Sequence, residues 1–255
     1  MKNLVYQYFL PYKGNDARYN SEGLGLPDWV KKGTLSAKEY AKKIQTQYMF
    51  NTQAYMNSTL NVFESLRLIF DPQFEKYDNI LLLDVDTIVN TKESIFDIPV
   101  EEVGMVHELG VRHRTPVPGA RFDQRHWNLY FNDPQHGLMT YAKKYLDKNF
   151  KWKKSSLYPD EQFLLLNGGV QVWSKKGRLK AREQFKKEGH EHFRRVTNKT
   201  ETPYLNMMFI HHNFNVTELP TEWNRLNFQW EKDGDYGKIT HFNDVSKPKM
   251  MKYGT

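Results

Sequence analysis

Apolar positions fall in short runs separated by polar stretches that carry glycine and proline. Leu4 to Leu10 reads as a first strand. A turn-rich stretch follows, with Gly14, Gly23, Gly25 and Pro27. Ser36-Ala37-Lys38-Glu39 has the pattern of a serine cap with a capping-box glutamate. It predicts a helix start, continued through Tyr40-Ala41-Lys42-Lys43-Ile44. Tyr48-Met49-Phe50 is a short second strand, and Leu60, Phe63, Leu66, Leu68 and Ile69 recur as a helix face that stops near Asp71-Pro72. Ile80-Leu81-Leu82-Leu83 is a continuous apolar run, the mark of a strand buried on both faces. The order strand, helix, strand, helix, strand predicts an α/β protein: a mostly parallel, Rossmann-like sheet flanked by helices, with right-handed crossovers.

The second half mixes its signals. Val103 to Val106 reads as a short strand. Leu164-Leu165-Leu166 leads through Asn167-Gly168-Gly169 into a strand at Val170-Gln171-Val172-Trp173. Residues 175–195 read as one basic helix with Glu183, Glu188 and Glu191 interleaved. A helix over Pro203 to His212 precedes Val216-Thr217-Glu218-Leu219, and Ile239-Thr240-His241-Phe242 is a last short strand. Gly110 to Phe150 has no clear period, as expected of functional loops.

At 255 residues, with no linker, repeat or low-complexity tract, the chain is expected to be a single domain, 1–255. Its abundant aromatics argue against disorder. Without cysteine there is no disulfide framework and no thiolate metal site, so metal ligands must be carboxylates, imidazoles or carbonyls. No apolar run reaches membrane-spanning length, and a soluble, cytoplasmic protein is the expectation. The formal net charge of +7 is compatible with nucleic acid, anionic lipid or a phosphorylated small molecule as partner. The basic helix 175–195 reads first as a solvated face, with anion or peripheral membrane contact as the alternative. No nucleic-acid-binding motif is present.

Asp84-Val85-Asp86 directly follows the buried strand. In an open parallel sheet, ligands bind at the carboxyl ends of strands. Two acids one residue apart on extended chain point the same way and repel unless a cation sits with them. A divalent metal that also holds substrate phosphates answers that repulsion; an ordinary loop start is the plain alternative. A haloacid-dehalogenase-type phosphatase shares the local pattern. Its acid pair lies on the first strand, however, and Gly234-Asp235 lacks the second acid that would complete its site. Adjacent His211-His212 is a poor zinc site, because neighbouring side chains on a helix diverge.

Several segments in order resemble the GT-A glycosyltransferases, most closely the retaining glycosyltransferase family 8 and related small bacterial and viral enzymes. Tyr77 to Val89 is similar to that family's strand with its Asp-x-Asp. Leu166-Asn167-Gly168-Gly169-Val170 resembles its Asn-[Ser/Ala]-Gly-Val, and Leu219-Pro220-Thr221-Glu222-Trp223-Asn224 its Leu-Pro-x-x-[Trp/Tyr]-Asn. Ile239-Thr240-His241-Phe242 with Lys247-Pro248 resembles its His-Phe-x-Gly-x-x-Lys-Pro. The resemblance covers nearly the whole chain. It implies a GT-A domain with a nucleotide-binding half at about 1–106 and a sugar and acceptor half at about 107–255.

It also implies roles. Asp84, Asp86 and His241 hold Mn2+ or Mg2+, and Lys247 neutralises the departing diphosphate. Asn167, Gly168 and Gly169 let backbone approach the donor sugar, and Tyr6 joins them as a cofactor-binding candidate. Glu201 stands where the family carries its acid ahead of Asn206. It is longer than the family's aspartate, and the glutamine that follows there is replaced by Thr202. The glycine after His-Phe is replaced around Asn243-Asp244, and Glu108, Asp160 and Glu161 are further acids for the pocket. The implied activity is transfer of a hexose, pentose or deoxysugar from a nucleotide diphosphate, UDP by resemblance with GDP as the alternative, to a glycan or other hydroxyl acceptor with retention of configuration. A donor-binding protein without turnover is the competing reading.

Overall fold

The computed structural model describes residues 1–10, 25–107, 131–135, 137–154, 156, 164–227, 236–242 and 247–253. The described strands of the main sheet are β1 (Asn3–Tyr8), β2 (Gln47–Asn51), β3 (Asn79–Leu83), β5 (Val103–His107), β6 (Leu166–Ser174) and β7 (Val216–Leu219), in the order β2-β1-β3-β6-β5-β7. The pairs β1–β2, β1–β3 and β5–β7 are parallel, while β6 runs antiparallel to both β3 and β5. The expected mostly parallel sheet is present, with one reversed strand at its centre. Short strands β4 (Thr87–Val89), β8 (Arg225–Leu226) and β9 (Ile239–His241) form a second sheet in the order β4-β9-β8.

Burial follows the two-residue period of the strands. Leu4, Tyr6, Ile80, Leu82, Val103, Met105 and Trp173 face one core. Val5, Leu81, Leu83, Val106, Val170 and Val172 face the other. The second face is covered by α1 (Asp28–Lys43) through Ala37, Tyr40 and Ala41. The first is covered by Phe63 and Leu66 of a 3-10 turn, by the short α2 (Arg67–Phe70), and by α3 (Leu138–Tyr145), α4 (Lys175–Gln184), α5 (Gly189–Thr197) and α6 (Glu201–His211). A final helix, α7, spans Lys247–Lys252. No described helix is long and apolar enough to cross a membrane.

Three expectations need correction. The first helix does not start at Ser36 but at Asp28, after Pro27. Ser36 lies inside the helix, and its hydroxyl accepts from the Val89 amide at 2.9 Å, serving the second sheet instead of a helix end. The basic stretch is two helices. Phe185 leaves helical geometry (φ −87°, ψ 129°) and turns its ring into the core. Residues 138–145, inside the stretch expected to be loop, form α3 and bury Leu138, Tyr141 and Ala142.

The cations of α4 are largely held by the protein. Lys176 pairs with Glu101, Lys180 with Glu102 at 2.9 Å, and Arg182 with Glu75. Three of the five cations of α4 thus pair with acids of the chain. Arg178 is 2% exposed. Its guanidinium donates to the carbonyls of Trp173 (2.9 Å), Tyr77 (2.6 Å) and Phe74 (3.3 Å), joining α4 to the approach of β3. Burial pulls its pKa down to about 10, yet it stays charged at neutral pH. Arg178→Met removes the donor and leaves those carbonyls without it. We expect a loss of about 3 kcal/mol in stability, read from urea unfolding. An unchanged midpoint would show that the guanidinium is dispensable.

Candidate metal centre

The site sits at the carboxyl end of β3. Asp84 and Asp86 leave the strand there, and several contacts fix the turn that carries them. The Asp84 amide donates to the Gly169 carbonyl of β6 at 2.9 Å. The Asp84 carbonyl accepts from the Gln7 side chain at 3.1 Å and the Thr87 hydroxyl at 2.7 Å. Gln7 is itself held by the Tyr48 hydroxyl, which donates to its Oε1 at 3.0 Å. On the far side α1 presses in: a Cβ built on Gly33 would lie 1.9 Å from the Val85 carbonyl oxygen. A glycine in the middle of a helix lowers helix propensity. Here it allows the helix to touch the backbone between the two acids.

His241 arrives through the second sheet. β4 begins one residue after Asp86, and its Thr87 pairs with His241 of β9. The Phe242 amide donates to the Asp86 carbonyl at 2.8 Å. The His241 ring therefore stands over the acids, with Nε2 3.2 Å from Asp86 Oδ1 and 3.7 Å from Asp84 Oδ2. Lys247, at the start of α7, brings Nζ to 3.4 Å from Asp86 Oδ2. The same ammonium lies 4.5 Å from the centre of the Trp29 ring on α1. Asp84 faces outward, its side chain 39% exposed against 13% for Asp86 and 7% for His241.

The electrostatics follow from crowding charge into one place. Burial pushes the Asp84 carboxyl up to about 6; Asp86 adds to this, and His241 and Lys247 oppose it. Burial acts upward on Asp86 as well, but the His241 ring and Lys247 outweigh it and hold that carboxyl below its ordinary value. Burial would lower His241, and the two carboxylates outweigh it, so the imidazole is raised. One ligand atom from each of Asp84, Asp86 and His241 lies within 4.8 Å of the other two. Among the described residues, no other group of three such side chains converges in this way. Two carboxylate oxygens and one imidazole nitrogen are a donor set that fits Mn2+ or Mg2+.

The Asn-Gly-Gly segment is where other elements close on the site. Along β6 the pairing with β5 jumps from Gln171 to Asn167 as β5 advances from Met105 to Val106, so Gly168 and Gly169 lie in a bulge. A Cβ on Gly169 would meet the His241 ring at 2.3 Å. A Cβ on Gly168 would meet the Thr202 hydroxyl at 2.5 Å and Glu201 Oε1 at 3.1 Å. The glycines thus make room for His241 and for the start of α6. Burial first, and then the charge of Asp84, pushes the Glu201 carboxyl up to about 7.

Tyr6 is not part of this assembly. Its ring is fully buried and stacks edge-on against Phe74 at 4.8 Å, inside the core. Tyr8, two residues on, is the tyrosine that senses the site. Burial, then the charges of Asp84 and Glu201, raise its hydroxyl well above the ordinary value. Gln7, Gly33 and Trp29 also contact the site and were not anticipated from the sequence, and Asn224, which closes the Leu219 to Asn224 motif, had been given no role there. Of these, Gly33 carried a signal, as a glycine set inside an otherwise helical run. Glu108, Asp160, Glu161, Asp235, Asn243 and Asp244 lie outside the described residues.

Neither a protein-family model nor a curated protein matches the chain in sequence. Solved structures do match in fold. A glycosyltransferase involved in glycosylation of the major capsid of PBCV-1 aligns over 99% of this chain and 98% of its own, at 11% identity and TM-score 0.54. Mouse xyloside xylosyltransferase 1 aligns over 96% and 99%, at 14% identity and TM-score 0.50. The galactosyltransferase LgtC, crystallised with donor and acceptor sugar analogs, aligns over 99% and 92%, at 13% identity and TM-score 0.50. The chain has the GT-A fold of these glycosyltransferases.

Gly33→Ala tests the contact beneath the acids. The added methyl must move either α1 or the Val85 carbonyl, and overpacking of this kind costs about 1–3 kcal/mol. We expect a lower unfolding midpoint, with amide NMR shifts concentrated at residues 84–86. A variant as stable as the parent, with unmoved amides there, would show that the approach carries no load.

Proposed function

We propose that this chain is a metal-dependent glycosyltransferase that moves a sugar from a nucleotide diphosphate, a UDP-sugar, to a hydroxyl of a glycan acceptor. The observation that carries this reading is the convergence of Asp84, Asp86 and His241 at the end of β3, with the Lys247 ammonium 3.4 Å from Asp86. The fold neighbours, all glycosyltransferases, support it. Mn2+ or Mg2+ bound by the three side chains would supply Lewis-acid stabilisation of the leaving diphosphate.

The chain's own groups supply the rest. Lys247 offers a point charge where negative charge develops on the diphosphate, and its ammonium lies over the Trp29 ring. Asn167 and the bulge at Gly168 and Gly169 form the wall toward the donor sugar. Glu201 stands behind that wall at the start of α6, where it orients the acceptor or stabilises positive charge on the ring. Burial, and then the charge of Asp84, raise its carboxyl to about 7. The nucleotide lies against the half of the sheet built from residues 1–106, and the sugar and acceptor against elements from 107–255. A glycosyltransferase family 8 pattern further implies retention: the acceptor hydroxyl attacks from the face that the diphosphate leaves, and the leaving phosphate takes its proton.

A donor screen by nucleotide release, with Mn2+ present and absent, tests the proposal. We expect turnover of one nucleotide sugar, abolished by chelation. Full activity in excess chelator would remove Asp84, Asp86 and His241 from a metal role.

Asp86→Ala should keep the fold and lower turnover on the order of 100-fold or more. Lys247→Ala should reduce kcat more than donor affinity, because it acts on charge that appears in the transition state. Wild-type rates in both variants would place the site elsewhere.

The anomeric proton coupling of the product, read by NMR against that of the donor, should show the same configuration. An inverted linkage would leave the donor site standing and overturn the stereochemical reading.

A further inference from the structure

Behind His241 lies a chain of hydrogen bonds whose direction can be read from a single backbone amide. The Gly169 N–H donates to Asn167 Oδ1 at 2.9 Å. A backbone amide only donates, so the atom of Asn167 that meets it is the oxygen, and the amide flip is settled. That same oxygen accepts from Asn224 Nδ2 at 2.8 Å. Asn224 must therefore turn its nitrogen toward Asn167 and its oxygen the other way. Its Oδ1 lies 3.2 Å from His241 Nδ1. An amide oxygen only accepts, so Nδ1 carries a proton. Nε2, 3.2 Å from Asp86 and 3.7 Å from Asp84, faces carboxylates that call for a proton of their own while no metal is present; a cation between the acids would displace that proton and leave the one on Nδ1, held by Asn224. Asn224 is fully buried and His241 is 5% exposed, so water does not compete for these bonds.

We infer that Asn224 and Asn167 are positioning residues that fix the His241 tautomer, holding the proton on Nδ1 and presenting Nε2 to the space between the acids. This rests on the metal reading above. It gives Asn167 a task beyond the donor wall and gives Asn224 one for the first time. Gly169 serves the same end twice: its amide sets the direction of the chain, and its missing Cβ, which would sit 2.4 Å from Nδ1, leaves room for the ring. A ligating histidine held by its second nitrogen keeps both its tautomer and its ring angle, and losing such a partner costs roughly 10–100-fold in metal affinity.

The test pairs two readouts on the full chain. Two-dimensional 15N–1H NMR of the His241 ring, without metal, reports whether Nδ1 carries a slowly exchanging, hydrogen-bonded proton. Titration with Mn2+ alone reports affinity. The wild type should show the Nδ1–H form. Asn224→Leu should lose the slowly exchanging Nδ1 proton signal and bind Mn2+ roughly 10–100-fold more weakly. Asn167→Leu should move both readouts in the same direction, with a smaller loss. Asn167→Asp keeps an oxygen facing both the Gly169 amide and Asn224 Nδ2, and so should keep the Nδ1–H form and at least wild-type Mn2+ affinity. It also serves where a leucine variant fails to fold. A wild-type ring with no Nδ1 proton, or an unchanged Nδ1–H signal and affinity in Asn224→Leu, would overturn the inference. So would Asn167→Asp losing the Nδ1–H form. Because the Nδ1 proton is read without metal, it decides the inference even if the wild type fails to bind Mn2+, a result that would instead overturn the metal reading.

Discussion

Two carboxylates held two residues apart at the end of a buried strand repel each other, and the parts around them answer that repulsion. Asp84 and Asp86 cannot separate. The Asp84 amide and carbonyl are tied to Gly169, Gln7 and Thr87, and α1 rests on the Val85 carbonyl between them. The remedy is charge of the opposite sign, brought from far along the chain: His241 on β9 and Lys247 on α7. The second sheet exists in this place because β4 continues directly from the acids and pairs with β9. Without that pairing the histidine would have no fixed address.

The sequence made some of this plain and hid the rest, for physical reasons. The apolar run Ile80 to Leu83 was legible because a strand buried on both faces needs apolar side chains at every position. The acids after it were legible because strand ends are where open sheets bind ligands. His241 and Lys247 came from an ordered set of short motifs, whose common destination only the folded chain displays. The true start of α1 was hidden because Gly33 reads as a helix breaker when its partner, a carbonyl 52 residues away, is not in view. Strands β4 and β8 were hidden because strands of three and two residues carry no period. Tyr6 carried no sign of its depth, for alternation along β1 turns its ring into the core with Leu4 and Ile80.

Glycine usage across the molecule has a common logic. Gly33, Gly168 and Gly169 each stand where another group occupies the position of a side chain: a carbonyl, a threonine hydroxyl with a carboxylate, and an imidazole. None of the three has a positive φ, so their value lies in the missing Cβ and not in the backbone conformations that glycine alone adopts. The three contacts surround the same few residues. Sites built this way hold their geometry before a ligand arrives.

The reversed strand β6 has a consequence for how the molecule comes into being. It lies between β3 and β5, so the edge of β3 stays open until residues 166–174 have been made. During synthesis a nascent chain carries an apolar, unpaired strand edge for a long stretch of elongation, with the two acids already in place and their counter-charges still to come. Such an edge is a template for wrong pairing, and such delayed long-range closure slows folding. The charge at Asp84 and Asp86 then acts as a guard: while unmatched, it disfavours burial of that strand end against another chain. An unmatched acid pair at that strand end thus works against burial of the open edge by another copy of the chain.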